Sequence, residues 1–242
     1  MSDPAPRAAP DRHSARSSAR ETLEAALVAG LFLVFANTWV FRTFFIPSGS
    51  MEETLLVGDH LVVDRFVYGP APTAIERAVL PLRSVRRGDI VVFRSPRQPE
   101  LDLVKRCVGL PGDLVEIRNK VLVLNGKPLQ EPYVRHGDRF TGGVDSWHPD
   151  RIRRDQMAPY RVPAGHYFCM GDNRDHSLDS RFWGSVPAHL VKGRAQWIYW
   201  SYGGEPPPVE WQGLGASVRR WGRTLFGFFT RTRWERTFHL PR

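Results

Sequence analysis

The feature that most limits what this chain can become is an apolar run near its start, LEAALVAGLFLVFANTWVFRTFF. From Ala25 to Phe41 no side chain is charged, and only Asn37 and Thr38 are strongly polar. Such a run has no face to offer water. Its 17 residues reach the short end of a bilayer crossing, and Thr43 to Ile46 extend it beyond Arg42. A buried core helix and a cleaved leader are the alternatives. The run is long for the apolar part of a leader, and no small-x-small site comes closely after it.

Residues 1–20 are rich in Pro, Ser, Ala and Arg and read as an unstructured tail. Arg7, Arg12, Arg16 and Arg20 lie ahead of the apolar run, so the positive-inside rule puts the N-terminus in the cytoplasm and exports the chain beyond Arg42. Trp39, Phe41, Phe44 and Phe45 then form an aromatic belt at the outer interface, and the lipid bilayer is an expected partner.

The formal net charge of +9 is unevenly spread. Residues 211–242 hold Arg219, Arg220, Arg223, Arg231, Arg233, Arg236 and Arg242 against Glu235 alone, leaving about +3 for the rest. Without a zinc pattern, an RNP motif or a helix-turn-helix signal, this basic end is not read as a nucleic-acid surface. Its interleaved Trp221, Phe226, Phe228, Phe229 and Trp234 suit an interfacial helix on anionic lipid. Cys107 and Cys169 have no metal-binding spacing, so no metal or cofactor is expected; whether they are free or paired stays open.

Beyond the apolar run the pattern is one of short strands. VGDHLVVDRF, RGDIVVF and PGDLVEI each use Gly-Asp as a turn ahead of a β-branched run. Asn125-Gly126 marks a tight hairpin, and HYFCM and AQWIYW read as further strands. The division expected is a tail at 1–20, an anchor at 21–45, an exported all-β body at 46–204 with a variable extension at about 114–165, and a Pro-rich linker with a basic tail at 205–242.

Three segments carry candidate chemistry. In IPSGSMEETL, Ser50 sits in a tight turn after Gly49, which permits close backbone approach. In LVKRCVGLPGD, a strand period of two puts Leu101, Leu103, Lys105 and Cys107 on one face. A lysine there either snorkels to water or is desolvated, and desolvation lowers its pKa toward that of a competent base. GDNRDHSLDSRFWG lacks the spacing of a calcium loop; its Asp172, Arg174, Asp175, Asp179 and Arg181 can pair among themselves and hold Ser177 in place. A histidine triad using His60 or His176 is a rival reading.

Together and in this order, the three segments resemble those of bacterial type I signal peptidases, membrane-bound Ser/Lys endopeptidases of the inner membrane. The resemblance extends over about residues 25–200. It implies strongly bent antiparallel sheets behind a single transmembrane helix, with the catalytic domain on the periplasmic face. It implies Ser50 as nucleophile, Lys105 as general base, and Ser48 with the Ser50 N–H as oxyanion hole. Ser177 would orient the lysine, and Asp179 with Arg181 would support the site. A substrate strand would pair with Asp102–Val104. Met51, Leu55 and Leu103 would line the pocket for the residue before the cut, and Phe44, Ile46, Leu61 and Val104 the pocket for the residue two earlier. The substrates implied are signal peptides of secreted preproteins cut after Ala-x-Ala. A self-cleaving repressor-type protease and a non-catalytic tethered adaptor are weaker rivals, since neither accounts for the anchor together with all three segments. One departure from the family pattern is Glu53, where proline is common.

Overall fold

The computed structural model describes residues 12–35, 41–65, 67–68, 82–137, 154–204 and 227–241. It divides into two units, residues 1–40 and residues 41–242. In the first, α1 runs from Arg12 to Phe35. The tail expected at residues 1–20 is therefore helical from Arg12. Side chains of Leu23, Leu27, Val28, Leu31 and Phe32 are all exposed along this helix. Among the described residues no helix is long and apolar enough to cross a membrane. Part of the expected crossing, residues 36–40, lies outside the described residues.

The second unit is all-β, with every strand pair antiparallel. A seven-stranded sheet has the order β1 (Phe41–Phe45), β2 (Asp59–Asp64), β11 (Val191–Ser201), β3 (Ile90–Arg94), β4 (Asp102–Gly109), β9 (His166–Met170), β10 (Val186–Pro187). A four-stranded sheet has the order β7 (Lys127–Pro128), β6 (Val121–Leu124), β5 (Leu114–Arg118), β8 (Met157–Arg161). Residues 41–45, assigned to the anchor from hydropathy, are instead β1. Their register runs from Phe41 opposite Asp64 to Phe45 opposite His60. The aromatic alternation that reads as an interface belt is satisfied by a sheet, where Phe45 and Trp200 flank the His60 ring.

The Gly-Asp device recurs three times with the same hydrogen bonds. Gly58, Gly88 and Gly112 all lie in the left-handed region, with φ of 95°, 90° and 89°. In each case the following aspartate accepts from the backbone N–H three residues earlier, at Leu56, Arg86 and Leu110. The carboxylate thus caps a turn whose backbone only glycine adopts without strain. Each turn feeds a strand. β3 comes after the second; its Ile90, Val91, Val92 and Phe93 are all buried, as a central strand requires.

Register shifts in the pairing of β11 with β2 and β3, and of β4 with β9, mark bulges, which bend strands and curl the large sheet. On one face Ile46, Met51, Leu55, Leu61, Val63 and Ile198 form an apolar cluster. Val115, Ile117, Leu122, Val162, Phe168 and Met170 seal the smaller sheet against β9.

The described part of the C-terminal segment belongs to this body. Residues 227–231 form a short helix. Phe238 N–H then donates to Ile198 O, and Ile198 N–H to His239 O, over 2.7 and 2.9 Å. Arg236 pairs with buried Asp59 and also donates to Thr54 O. The interfacial helix expected for residues 211–242 is thus not what residues 227–241 form: Arg233 and Arg236 find partners at Val57, Ser201, Thr54 and Asp59 of the β body. The linker at 205–210 lies outside the described residues.

Candidate active site

Ser50 stands in a 3-10 turn, Gly49–Met51, entered by Ser48 in extended conformation. Met51 is buried in the apolar cluster beneath, which pins the turn to the sheet. The Ser48 hydroxyl does not cap the turn. Lys105 projects from β4 into the same cleft, lined by Ser48, Gly49, Ser50, Glu52, Leu103, Lys105, Asn173, His176 and Leu178. Its Nζ lies 2.6 Å from Ser50 Oγ and 3.2 Å from Val104 O.

The lysine does not snorkel. It is 3% exposed. Burial pulls its pKa down from the usual 10.5 to about 8, against the upward pull of Asp179, Cys169 and Asp172. The two carboxylates are spoken for by arginines, and burial keeps the Cys169 thiol neutral. Asp179 is wholly buried; burial pushes its carboxyl up, but the charge and hydrogen bonds of Arg181 outweigh that and hold it below its usual range. The Asp179–Arg181 pair is bidentate at 2.9 and 2.8 Å. Asp179 also accepts from Gly171 N–H, while Arg181 donates to the carbonyls of Arg154 and Arg174. The pair therefore staples several loop segments behind the cleft.

The loop after β9 does not pair within itself beyond Asp179 and Arg181, as the sequence suggested it could. Asp172 takes a bidentate pair with Arg106 at 2.9 and 2.7 Å and also accepts from the Thr54 hydroxyl. Arg106 stacks on the Tyr133 ring, 3.8 Å from its centroid. Arg174 pairs with Glu131, and Asp175 with Lys120. Arg106, Thr54, Glu131, Tyr133 and Asn173 were not singled out in sequence. The neighbours of Ser50 and Lys105 in the chain were the signal available: Thr54 and Arg106 each bind Asp172, one residue from Gly171.

Gly171 has a steric reason. A Cβ there would come within 2.2 Å of Ser177 Oγ and 2.4 Å of Ser50 O. Asn173 clamps the nucleophile turn by donating its backbone N–H to Ser50 O and its amide to Gly49 O and Glu52 Oε2. Ser177 Oγ is buried and makes no hydrogen bond to Lys105; its hydroxyl lies beside Asp179 and helps to hold that carboxyl down. Lys105 is oriented instead by Ser50 and its neighbouring carbonyl.

The remaining sequence-predicted residues fall in two places. Ile46, Met51, Leu55 and Leu61 are buried in one cluster with Phe44 and Val104 against it, while Leu103 lines the cleft itself. Asp102 pairs with Lys192. β4 pairs with β3 from Asp102 to Arg106, and β9 joins its other edge only from Arg106 onward. Beside Asp102–Lys105 that edge carries no strand among the described residues.

Neither histidine touches Ser50 among the described hydrogen bonds. His60 is held in its aromatic stack, where burial lowers its pKa against the pull of Asp59. His176 Nδ1 faces Asn173 Oδ1 at 3.3 Å. Cys107 and Cys169 are register partners on β4 and β9, and both are free and buried. Glu53 has φ of 79°, a conformation closed to proline, and pairs with Arg135 at the surface.

Comparison with known proteins shows the family. Residues 19–200 match the family described as signal peptidase, peptidase S26. Signal peptidase I of Pseudomonas aeruginosa is 38% identical over 70% of this chain and 69% of its own. The Pseudomonas fluorescens protein of that name is 37% identical with the same coverage. That of Aquifex aeolicus is 32% identical over 71% of this chain and 80% of its own.

Proposed function

Since the chain belongs to the signal peptidase family, peptidase S26, we propose that it removes N-terminal signal peptides from exported preproteins by a Ser50/Lys105 dyad. The observation that carries this reading is the 2.6 Å approach of a buried, depressed lysine to a serine in an open cleft. Neutral Lys105 Nζ takes the proton of Ser50 Oγ as that oxygen attacks the scissile carbonyl. The lysine returns the proton to the leaving amine. Lys105 Nζ then takes a proton from water, which attacks the acyl-enzyme carbonyl, and the lysine returns that proton to Ser50 Oγ as the acyl group leaves.

The developing oxyanion is met by the Ser48 hydroxyl and the Ser50 N–H at the start of the 3-10 turn; one such donor is worth about 10²–10³ in rate. We assign the buried Ser177 hydroxyl, set beside Gly171 and Asp179, to orient the Lys105 amine during turnover. The Asp179–Arg181 pair keeps Gly171 and Ser177 in place.

The open edge at Asp102–Val104 receives the substrate as an added strand. Met51, Leu55 and Leu103 bound the pocket for the residue before the cut. Phe44, Ile46, Leu61 and Val104 bound the pocket for the residue two earlier. Because most of these side chains are already packed in the core, the pockets are shallow and admit Ala-x-Ala. The exposed apolar side chains of α1, with residues 36–40, anchor the chain in a bilayer, its N-terminus cytoplasmic and its β body outside.

The test uses the detergent-solubilised full chain and a peptide spanning an Ala-x-Ala site. Ser50→Ala and Lys105→Met should each abolish cleavage while the β body stays folded by circular dichroism. Cleavage by Ser50→Ala at the wild-type rate would refute the dyad.

A further inference from the structure

The dyad leaves one acidic side chain of the cleft unexplained. Glu52 is half-buried, two residues after the nucleophile, and lines the same cleft. Its Oε2 would lie 3.4 Å from a Cβ placed on Gly49, so the carboxylate sits against the turn that carries Ser50. The Asn173 amide holds it there from 3.2 Å. That amide is fixed in turn by Gly49 O and His176.

Most acids around the site are matched to a cation: Asp172 to Arg106, Asp179 to Arg181, Glu131 to Arg174, Glu53 to Arg135. Glu52 forms no ion pair among the described residues, in a chain whose net charge is +9. A positioned carboxylate without a counter-ion, facing a cleft, is placed to meet a cation brought by the ligand.

The sheet determines which part of the substrate meets it, given the function proposed above. The residues before the cut pair with β4 at Asp102–Val104. At Arg106 that edge is taken by β9, so the substrate must leave the sheet beside Lys105. Besides the dyad, Ser48, Gly49 and Leu103, the cleft there is lined by Glu52, Asn173, His176 and Leu178. We propose that Glu52 is a specificity-determining residue that favours preproteins with a basic side chain at the first or second position after the cut.

The experiment compares peptides identical through Ala-x-Ala that carry Lys, Gln or Glu at those two positions. With the wild-type chain, kcat/KM should fall in the order Lys, Gln, Glu. A partly exposed ion pair is worth up to about fivefold, with repulsion adding to the Lys-to-Glu ratio. Raising the salt concentration should compress that ratio. Glu52→Gln should flatten it, and Glu52→Lys should invert it. A wild-type ratio near one, a ratio indifferent to salt, or the same ratio in Glu52→Gln would overturn the assignment while leaving the dyad intact. Failure of the wild type to cut any of the peptides would overturn the functional reading, and this proposal with it.

Discussion

The dyad makes its sharpest demand on the pH dependence of cleavage. With the Lys105 pKa at about 8, about one-tenth of the amine is neutral at pH 7 and about nine-tenths at pH 9. The kcat/KM for a neutral peptide should therefore rise about tenfold over that interval and level off. A lysine at its usual 10.5 would give about a hundredfold rise with no plateau by pH 9. The same burial has a cost in stability. The folded pKa lies below the unfolded one, so between pH 8 and 10.5 the unfolded chain holds a proton that the folded chain has lost. Stability rises with pH in that window, and below it the cost of enclosing an ammonium stands in full. The depression corresponds to about 3 kcal/mol. Lys105→Met should accordingly be inactive yet more stable than the wild type at pH 7. The gain is up to about 3 kcal/mol less the lost hydrogen bond to Ser50, and it closes toward pH 10.5. Urea denaturation of the two proteins at pH 7 and pH 10 reads this directly. A rate still climbing steeply above pH 9.5, or a Lys105→Met variant less stable than wild type at both pH values, would show that the amine is not held dry.

Other outcomes concern the supports of the site. Gly171→Ala forces a Cβ to within 2.4 Å of Ser50 O, so it should displace the nucleophile turn and cost at least about a hundredfold in kcat; near-normal kcat would contradict the close approach. Asp172→Asn leaves the Arg106 guanidinium buried without its anion and should destabilise by about 3–5 kcal/mol in urea titration, with a loss below about 1 kcal/mol refuting the pair's role. Glu53→Gly should raise thermal stability slightly by relieving a left-handed glutamate, whereas Glu53→Pro should lower it sharply. Equal melting temperatures for those two variants would mean the turn is not built as described.

The strands were legible where local chemistry determines them. Gly-Asp announced three turns because the glycine takes φ near 90° and the aspartate caps its own turn. Asn125-Gly126 behaved likewise, with both residues left-handed. Asn119-Lys120 makes the same kind of two-residue hairpin, also with both φ positive. It escaped notice because lysine carries no left-handed signature; the pairing of β5 with β6 imposes that conformation. β1 was misread for a related reason. Phe41–Phe45 continues an apolar run, and hydropathy does not distinguish lipid from the edge of β2.

For the candidate site, the segments carrying Ser50 and Lys105 stood out in the sequence and the pairs that support them did not. Ser50 and Lys105 stand in distinctive segments, but whether Lys105 is dry depends on what covers it. That cover is built from pairs distant in the chain: Arg106 with Asp172 across 66 residues, Arg174 with Glu131 across 43. Within GDNRDHSLDSR the charges alternate closely enough to suggest internal pairing, yet backbone geometry turns Asp172 and Arg174 toward other elements and leaves only Asp179 with Arg181. The carboxylates left near Lys105 are those whose charge an arginine already offsets. That arrangement allows burial to dominate the lysine's pKa, since two unpaired anions at that distance would hold its proton on and silence it as a base. In the proposed mechanism the arginines behind the cleft would thus act on the chemistry by limiting the negative field at Nζ.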